Sequence, residues 1–405
     1  MSKFVLTPRV CHSTIRILED VVNKQVALDK AYSYQFQNME LTSQEHADIT
    51  QVVGSIIRKL NLYLTILEIT SDKLIENQAS LFVVWSILND LATPSHIQHT
   101  EQQVSEFKSR IDSLTTNVVL QDGCPDWLDT LGHEQLAEQW PAERAALSLP
   151  PKRYIRVNTL KGDQATLKNQ LQAEGITAID VPSVANVLEI TSNSSLFKST
   201  AFQNGLFEQQ DPGSVLILNA LDVKPGHKVI DACAGAGGKS LGLASHMKRK
   251  GRLLAMDIEQ HKLDTLKVRA KRASADNIET RLITSSKTIK RLKLSTDRLL
   301  LDVPCSGLGV LKRNPDAKWH RDMSVTLPDL LALQADILTR YTKMLKVGGE
   351  VVYATCSILP CENQDQIDKF LAENQNFELL TSETISPANT GFDGFYWAKL
   401  RRITE

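Results

Sequence analysis

No apolar run in this 405-residue chain approaches the roughly 20 residues a membrane-crossing helix needs. The opening stretch, Met1-Ser2-Lys3-Phe4-Val5, lacks the long apolar segment and small-residue cleavage site of a secretory leader. A cytoplasmic location is therefore expected, with no membrane contact. Cysteine is scarce: the six present are scattered, and none forms a Cys-x-x-Cys pair. That excludes a disulfide framework and argues against a zinc site, so no metal is expected. Net charge of one sign is also missing, since the formal total is −1, and this alone would count against a polyanionic partner. Its distribution restores the case. Residues 1–150 carry 11 Lys+Arg against 19 Asp+Glu, residues 151–350 carry 31 against 20, and 351–405 carry 4 against 8. A basic middle on a balanced chain suits a polyanion, although an uneven surface without function gives the same count.

Length implies two or three domains. Residues 1–116 read as helices only: Ile49-x-x-Val52-Val53-x-x-Ile56-Ile57-x-x-Leu60 repeats at helical spacing, and Ser80–Leu88 is apolar enough for a central helix. Gln121-Asp122-Gly123-Cys124-Pro125 marks a break, and a short helix over Trp127–Trp140 should stop at Pro141. Residues 117–205 read as a small α+β module, with strands at Arg153–Asn158, Ile176–Val181 and Val187–Ile190 around a helix at Gln164–Glu174. From 206 to 405, apolar strands at Val229–Asp231, Leu253–Asp257, Leu299–Asp302 and Val351–Thr355 alternate with helices. The expected fold class is α/β, a Rossmann-like doubly wound and mainly parallel sheet, in which ligands sit beyond the carboxyl ends of strands.

One such end carries Asp231-Ala232-Cys233-Ala234-Gly235-Ala236-Gly237-Gly238-Lys239-Ser240. A triphosphate loop would need glycine where Cys233 stands, and a dinucleotide fingerprint would need one at Ser240. A third reading is an S-adenosylmethionine loop, in which the glycines allow close backbone approach and Asp257 ends the next strand to hold ribose hydroxyls. Two further ends carry thiols: Asp302-Val303-Pro304-Cys305-Ser306 and Thr355-Cys356-Ser357. A lone strand-end cysteine is more often simply buried. Two of them on adjacent strands would face one cleft. Thiols are what carbon-5 of cytosine requires, because that carbon is a poor nucleophile until a thiolate adds at carbon-6. Asp302 is placed to hold the cofactor's ammonium group or the base's polar edge.

These motifs resemble the Sun/Nop (Fmu-type) family of RNA cytosine-5 methyltransferases over residues 125–405. Arg156-Val157-Asn158, Glu208–Pro212, Gly309–Trp319 and Asp393-Gly394-Phe395 add to the match. The resemblance implies S-adenosylmethionine as cofactor, held by Cys233, Ala234, Gly235, Ala236, Gly237, Gly238, Lys239, Asp257 and Asp302. It implies Cys356 as nucleophile and Cys305 as the residue aiding product release, an order the chemistry alone leaves open. The helices of 1–116 are similar to the NusB-type domain of the family's bacterial 16S rRNA member. Two departures stand out: Gly235-Ala236 replaces the usual Ala-Pro of the loop, and Ser285 lies where an adenine-contacting acid is customary.

RNA is the expected partner, rRNA ahead of tRNA, with the chain a monomer. Arg156, Asn158, Lys312, Arg313 and Lys318 are the expected RNA contacts, and the basic runs 248–250, 267–272 and 287–293 are candidates to follow phosphates. A catalytically silent assembly factor and a DNA methyltransferase attacking through Cys305 remain as alternatives.

Overall fold

The computed structural model describes Phe4 and residues 6–320 and 323–405, so the reading of Met1–Val5 as free of a leader lies almost wholly outside the described residues. The chain forms two compact units, residues 1–150 with 311–326 and residues 151–310 with 327–405. No helix among the described residues is long and apolar enough to cross a membrane.

The first unit is helical. Ser43–Arg58 and Glu101–Leu114 each begin with a capping box, Thr42 with Glu45 and Thr100 with Gln103, which satisfies two otherwise orphaned amide groups per helix. The apolar spacing read at 49–57 forms the core: Ile49, Val52, Val53, Ile56 and Ile57 are all buried, together with Leu81–Trp85 from the helix Gln78–Leu88. The Trp85 indole N–H donates to Ser55 Oγ at 2.7 Å. Pro141 does not stop a helix; it opens one, Trp140–Leu147, where its missing N–H costs nothing. Residues 311–326 leave the sheet-bearing unit and pack here, with Trp319 against this core.

The second unit holds two sheets. In the smaller, β1 (Arg153–Val157), β2 (Ala178–Asp180), β3 (Val187–Ile190) and β4 (Phe207–Gln209) are ordered β2-β3-β1-β4 and wholly antiparallel. The last strand falls just past the boundary expected at 205. The helix Gln164–Ala173, capped by Asp163, covers this sheet with Leu167 and Leu171.

The larger sheet contains β5 (Lys228–Asp231), β6 (Arg252–Asp257), β7 (Ile278–Leu282), β8 (Thr296–Asp302), β9 (Leu345–Thr355), β10 (Phe377–Ile385) and β11 (Phe395–Arg402), in the order β10-β11-β9-β8-β5-β6-β7. Strands β5 to β9 run parallel, and β11 enters antiparallel beside β9. This is the doubly wound, mainly parallel α/β architecture expected from the sequence. Alternate residues of one strand feed opposite cores, as period-2 geometry requires: Leu300 joins Leu218 and Leu241, whereas Leu299 and Leu301 join Ile337 and Tyr353. Strand order reverses at β5, flanked by β6 and β8, so the crevice for a ligand opens at the carboxyl ends of these strands. Asp231, Asp257, Asp302 and Thr355 are the last residues of β5, β6, β8 and β9.

Candidate active site

The glycine loop is held by its own backbone geometry and by side chains from both sheets. Gly235 (φ 53°) and Gly237 (φ 86°) occupy the left-handed region, and a Cβ on Gly237 would lie 2.5 Å from Leu266 Cγ. Gly235 N–H donates to Asp257 Oδ2 at 2.8 Å, and Ala234 N–H to the Met256 carbonyl at 2.9 Å. Arg269 donates to the Ala236 carbonyl at 2.8 Å and Arg156 to the Gly238 carbonyl at 3.0 Å. No atom lies within 4 Å of where a Cβ would stand on Gly235 or Gly238, so open space adjoins the loop at both.

Asp231 is fully buried. Its Oδ2 accepts from Ser240 Oγ at 2.6 Å, while Oδ1 has no hydrogen-bond partner. Burial pushes its carboxyl up to about 7 against the opposing hydrogen bond from Ser240. Lys239 donates to Asp302 Oδ2 at 2.6 Å. Burial alone would favour loss of the Lys239 proton, yet the Asp302 charge outweighs it and holds the ammonium above its ordinary range. Burial, with Asp231, Asp302 and Asp257 around it, drives the Cys233 thiol well up.

The two strand-end thiols meet. Asp302 of β8 pairs in register with Ala354 of β9, and Cys305 Sγ lies 3.3 Å from Cys356 Sγ. Their loops are tied by a carboxylate that no sequence motif singled out, Glu362, which is wholly buried. Its Oε1 accepts from Ser306 N–H at 2.7 Å and from Gln334 Nε2 at 2.9 Å, and its Oε2 from Ser306 Oγ at 2.5 Å. Ser306 Oγ is 3.3 Å from Ser357 Oγ, and Gly309 N–H donates to the Cys356 carbonyl at 2.9 Å. The hydrogen bond with Cys356, burial, and the charges of Cys356 and Glu362 push the Cys305 thiol far above its ordinary value. Cys305 keeps its proton at neutral pH.

The expected RNA contacts fare differently. Arg156 and Asn158 are buried. Arg156 binds Gln210 and the Gly238 carbonyl, and Asn158 Nδ2 donates to the Gly205 and Ala273 carbonyls at 2.8 Å each. They brace the glycine loop and β-module from inside, and the expectation of phosphate or base contact is corrected. Lys318 is buried too; its Nζ donates to the Arg58 carbonyl at 2.8 Å, and burial lowers it to about 7. Lys312 is likewise buried, with its carbonyl accepting from Arg58 at 3.0 Å. These two lysines are interior residues of the helical unit, because 311–326 folds into it, and the expectation that they overhang a cleft is corrected as well. Arg313 is half-buried.

Arg269, read within the basic run 267–272 as a candidate to follow phosphates, instead holds the Ala236 carbonyl and Glu208, and Glu362 was missed in the sequence. Glu208, buried and paired with Arg269 and Arg272, sits in the quoted Glu208–Pro212 motif without having been given a role. A signal existed for Glu362: an acid six residues beyond Cys356, in a stretch otherwise poised to enter the core.

Residues 218–401 match the family model described as 16S rRNA methyltransferase RsmB/F, and residues 124–196 match the ferredoxin-like domain of RsmF/B-like methyltransferases. A probable ribosomal RNA small subunit methyltransferase B of Bacillus subtilis is 35% identical over 258 residues, 62% of this chain and 56% of that protein. A ribosomal RNA small subunit methyltransferase B of Photorhabdus laumondii is 30% identical over 285 residues, covering 69% and 66%. The chain thus spans less than two thirds of the length of these curated relatives. Among solved structures, a methyltransferase homolog protein from Pyrococcus horikoshii is 28% identical, with a TM-score of 0.63 over 71% of this chain and 98% of that one. The fold of PH0851 superposes with a TM-score of 0.82 over 99% and 100% of the two chains at 22% identity.

Proposed function

Because the chain belongs to the 16S rRNA methyltransferase RsmB/F family, we propose that it is an S-adenosylmethionine-dependent enzyme methylating carbon-5 of a cytosine in 16S rRNA. The observation that carries this reading is the 3.3 Å approach of two thiols at the ends of adjacent parallel strands, beside the Lys239–Asp302 pair.

The crevice fits the cofactor. Open space beside Gly235 and Gly238 admits a ligand against the backbone, and Asp257 and Asp302 offer carboxylates to hydroxyl and ammonium groups. The unpartnered Oδ1 of Asp231 lies behind the same loop. Ser285, exposed just past β7, offers a hydroxyl where the family resemblance leads one to expect an acid. When bound, the cofactor supplies an electrophilic methyl group on a sulfonium.

The target cytosine must leave its stack for a thiol to reach it. The Cys356 sulfur then forms a bond to carbon-6, which moves electron density to carbon-5, the position that takes the methyl. The carbon-5 proton then passes to solvent water, its C–H electron pair forms the carbon-5–carbon-6 double bond, and the pair of the breaking carbon-6–sulfur bond leaves on the Cys356 sulfur. Cys305 is pushed up by its hydrogen bond with Cys356 and by burial, and it stands beside that sulfur as a thiol. As a thiol it donates a hydrogen bond to the departing sulfur and eases release. The order of roles, Cys356 as nucleophile and Cys305 as its helper, follows the family resemblance.

The test uses both single variants with unmodified 16S rRNA. Cys356→Ala should abolish methyl transfer, whereas Cys305→Ala should accumulate a protein–RNA adduct stable on a denaturing gel. An adduct persisting in the Cys356 variant would reverse the two roles. Bisulfite sequencing of rRNA with and without the gene should show one methylcytosine lost.

A further inference from the structure

The basic run 287–293, left without a role in the crevice, converges in the second unit with residues 340–343. Ser286, Ile289, Lys290, Lys293, Arg340 and Lys343 line a half-open cavity of about 300 Å³. Ile289 is buried, while Lys287, Lys290, Arg291, Lys293 and Lys343 are exposed around it. Arg340 is neutralised by Asp336. The other five cations have no acidic partner among the described residues. Several other cations of this unit are answered by acids: Lys152 by Glu189, Lys168 by Asp180, Lys224 by Asp222 and Arg249 by Asp276. Five unanswered like charges around one hollow repel each other and raise the local potential, a cost that a bound polyanion offsets.

The place of this patch in the fold matters. Leu294 N–H donates to the Lys343 carbonyl at 3.1 Å and Ser295 N–H to the Met344 carbonyl at 2.9 Å, so the patch adjoins the starts of β8 and β9. Both thiols lie beyond the opposite ends of those strands. The six residue steps of β8, Thr296 to Asp302, put about 20 Å between the two ends. No nucleotide docked at the thiols reaches so far.

We infer that this patch is a second RNA site, which grips the phosphodiester backbone of the substrate about 20 Å from the methylated base. The inference rests on the reading of the chain as an RNA methyltransferase, and it specifies the substrate as an extended, folded RNA.

The test compares Lys290→Gln/Lys293→Gln/Lys343→Gln with a control triple, Lys152→Gln/Lys168→Gln/Lys224→Gln, which removes equal charge from lysines already paired with acids. The probe is unmodified 16S rRNA transcribed in vitro. With three phosphates no longer neutralised, the slope of log affinity against log salt should flatten by about two to three, and KM for rRNA should rise about tenfold or more at moderate salt. The kcat at saturating rRNA and the affinity for S-adenosylmethionine should stay at wild-type values, and the control triple should resemble wild type in slope. Equal flattening in both triples, or an unchanged slope in the first, overturns the patch while leaving the enzyme reading intact. A wild type that binds rRNA through the patch yet transfers no methyl to any RNA upholds the site and removes the enzymatic reading.

Discussion

Replacing Glu362 with glutamine isolates what a buried carboxylate does between two thiols. Oε1 accepts from two groups that can only donate, Ser306 N–H and the Gln334 amide. The new side chain must therefore keep its oxygen there and turn its NH₂ toward Ser306 Oγ. That hydroxyl can rotate to accept, so no donor need be stranded. What is lost is charge: three charge-assisted hydrogen bonds become neutral ones. A charge-assisted bond contributes about 1.5–3 kcal/mol against about 1 for a neutral one, so over three bonds a destabilisation of about 1.5–6 kcal/mol follows. Because the carboxylate also helps hold the Cys305 proton, its removal should let that thiol ionise at lower pH, although Cys356 and burial still hold it above an ordinary thiol. The assay is iodoacetamide alkylation across pH, with Cys305 followed by mass spectrometry, beside urea unfolding of the same samples. Cys305 labelling should begin at lower pH in Glu362→Gln than in wild type. If the fold weakens by that amount but the labelling profile stays in place, the carboxylate has a packing role only, and the electrostatic reasoning is refuted.

Asp231 gives a pH-dependent prediction. Its carboxyl is raised to about 7 from an ordinary 3.8, so its contribution to stability is fully present below the unfolded value and is lost as pH rises through the folded one. Asp231→Asn does not titrate, and should gain on wild type by up to about 4 kcal/mol between pH 4 and pH 8 in urea unfolding; parallel curves would sink the assignment. Gly309→Ala tests the loop between the thiols: its Cβ would stand 2.1 Å from the Gly394 carbonyl oxygen and 2.8 Å from that of Cys356. Overpacking against backbone should cost about 1–3 kcal/mol and displace Cys356, so methyl transfer should fall further than cofactor affinity does. Equal losses in both would point to general unfolding.

The central fold was legible because its parallel strands are buried on both faces and read as continuous apolar runs ending in acid or cysteine. The hairpin β10–β11 was not foreseen. Most of β10 is exposed, as befits an edge strand, and its Glu378-Leu379-Leu380-Thr381 lacks strict alternation. The thiol pair was legible through two motifs whose strands prove to be neighbours. The RNA contacts were misread for a physical reason. Charge and amide groups in a motif signal polar demand without saying whether it is met by solvent, ligand or the protein's own carbonyls, and Arg156, Asn158 and Lys318 all meet it internally. Pro141 misled in a simpler way, because proline opens helices as readily as it closes them.

The excursion of 311–326 makes the polypeptide pass between the two units three times, at 150–151, 310–311 and 326–327. Trp319 donates its indole N–H to the Ile57 carbonyl at 2.6 Å, and Leu28 N–H donates to Asp316 at 3.0 Å, so the returning loop is a built-in piece of the helical unit. Severing the chain at a single point cannot yield two whole halves. A fragment ending at 150 loses the wall that seals its interior, and one starting at 151 drags an orphaned apolar loop, Leu311 and Trp319 included, into water. Five residues separate Cys305 from that loop, so a cut that removes the helical unit also frees the segment leading away from this thiol.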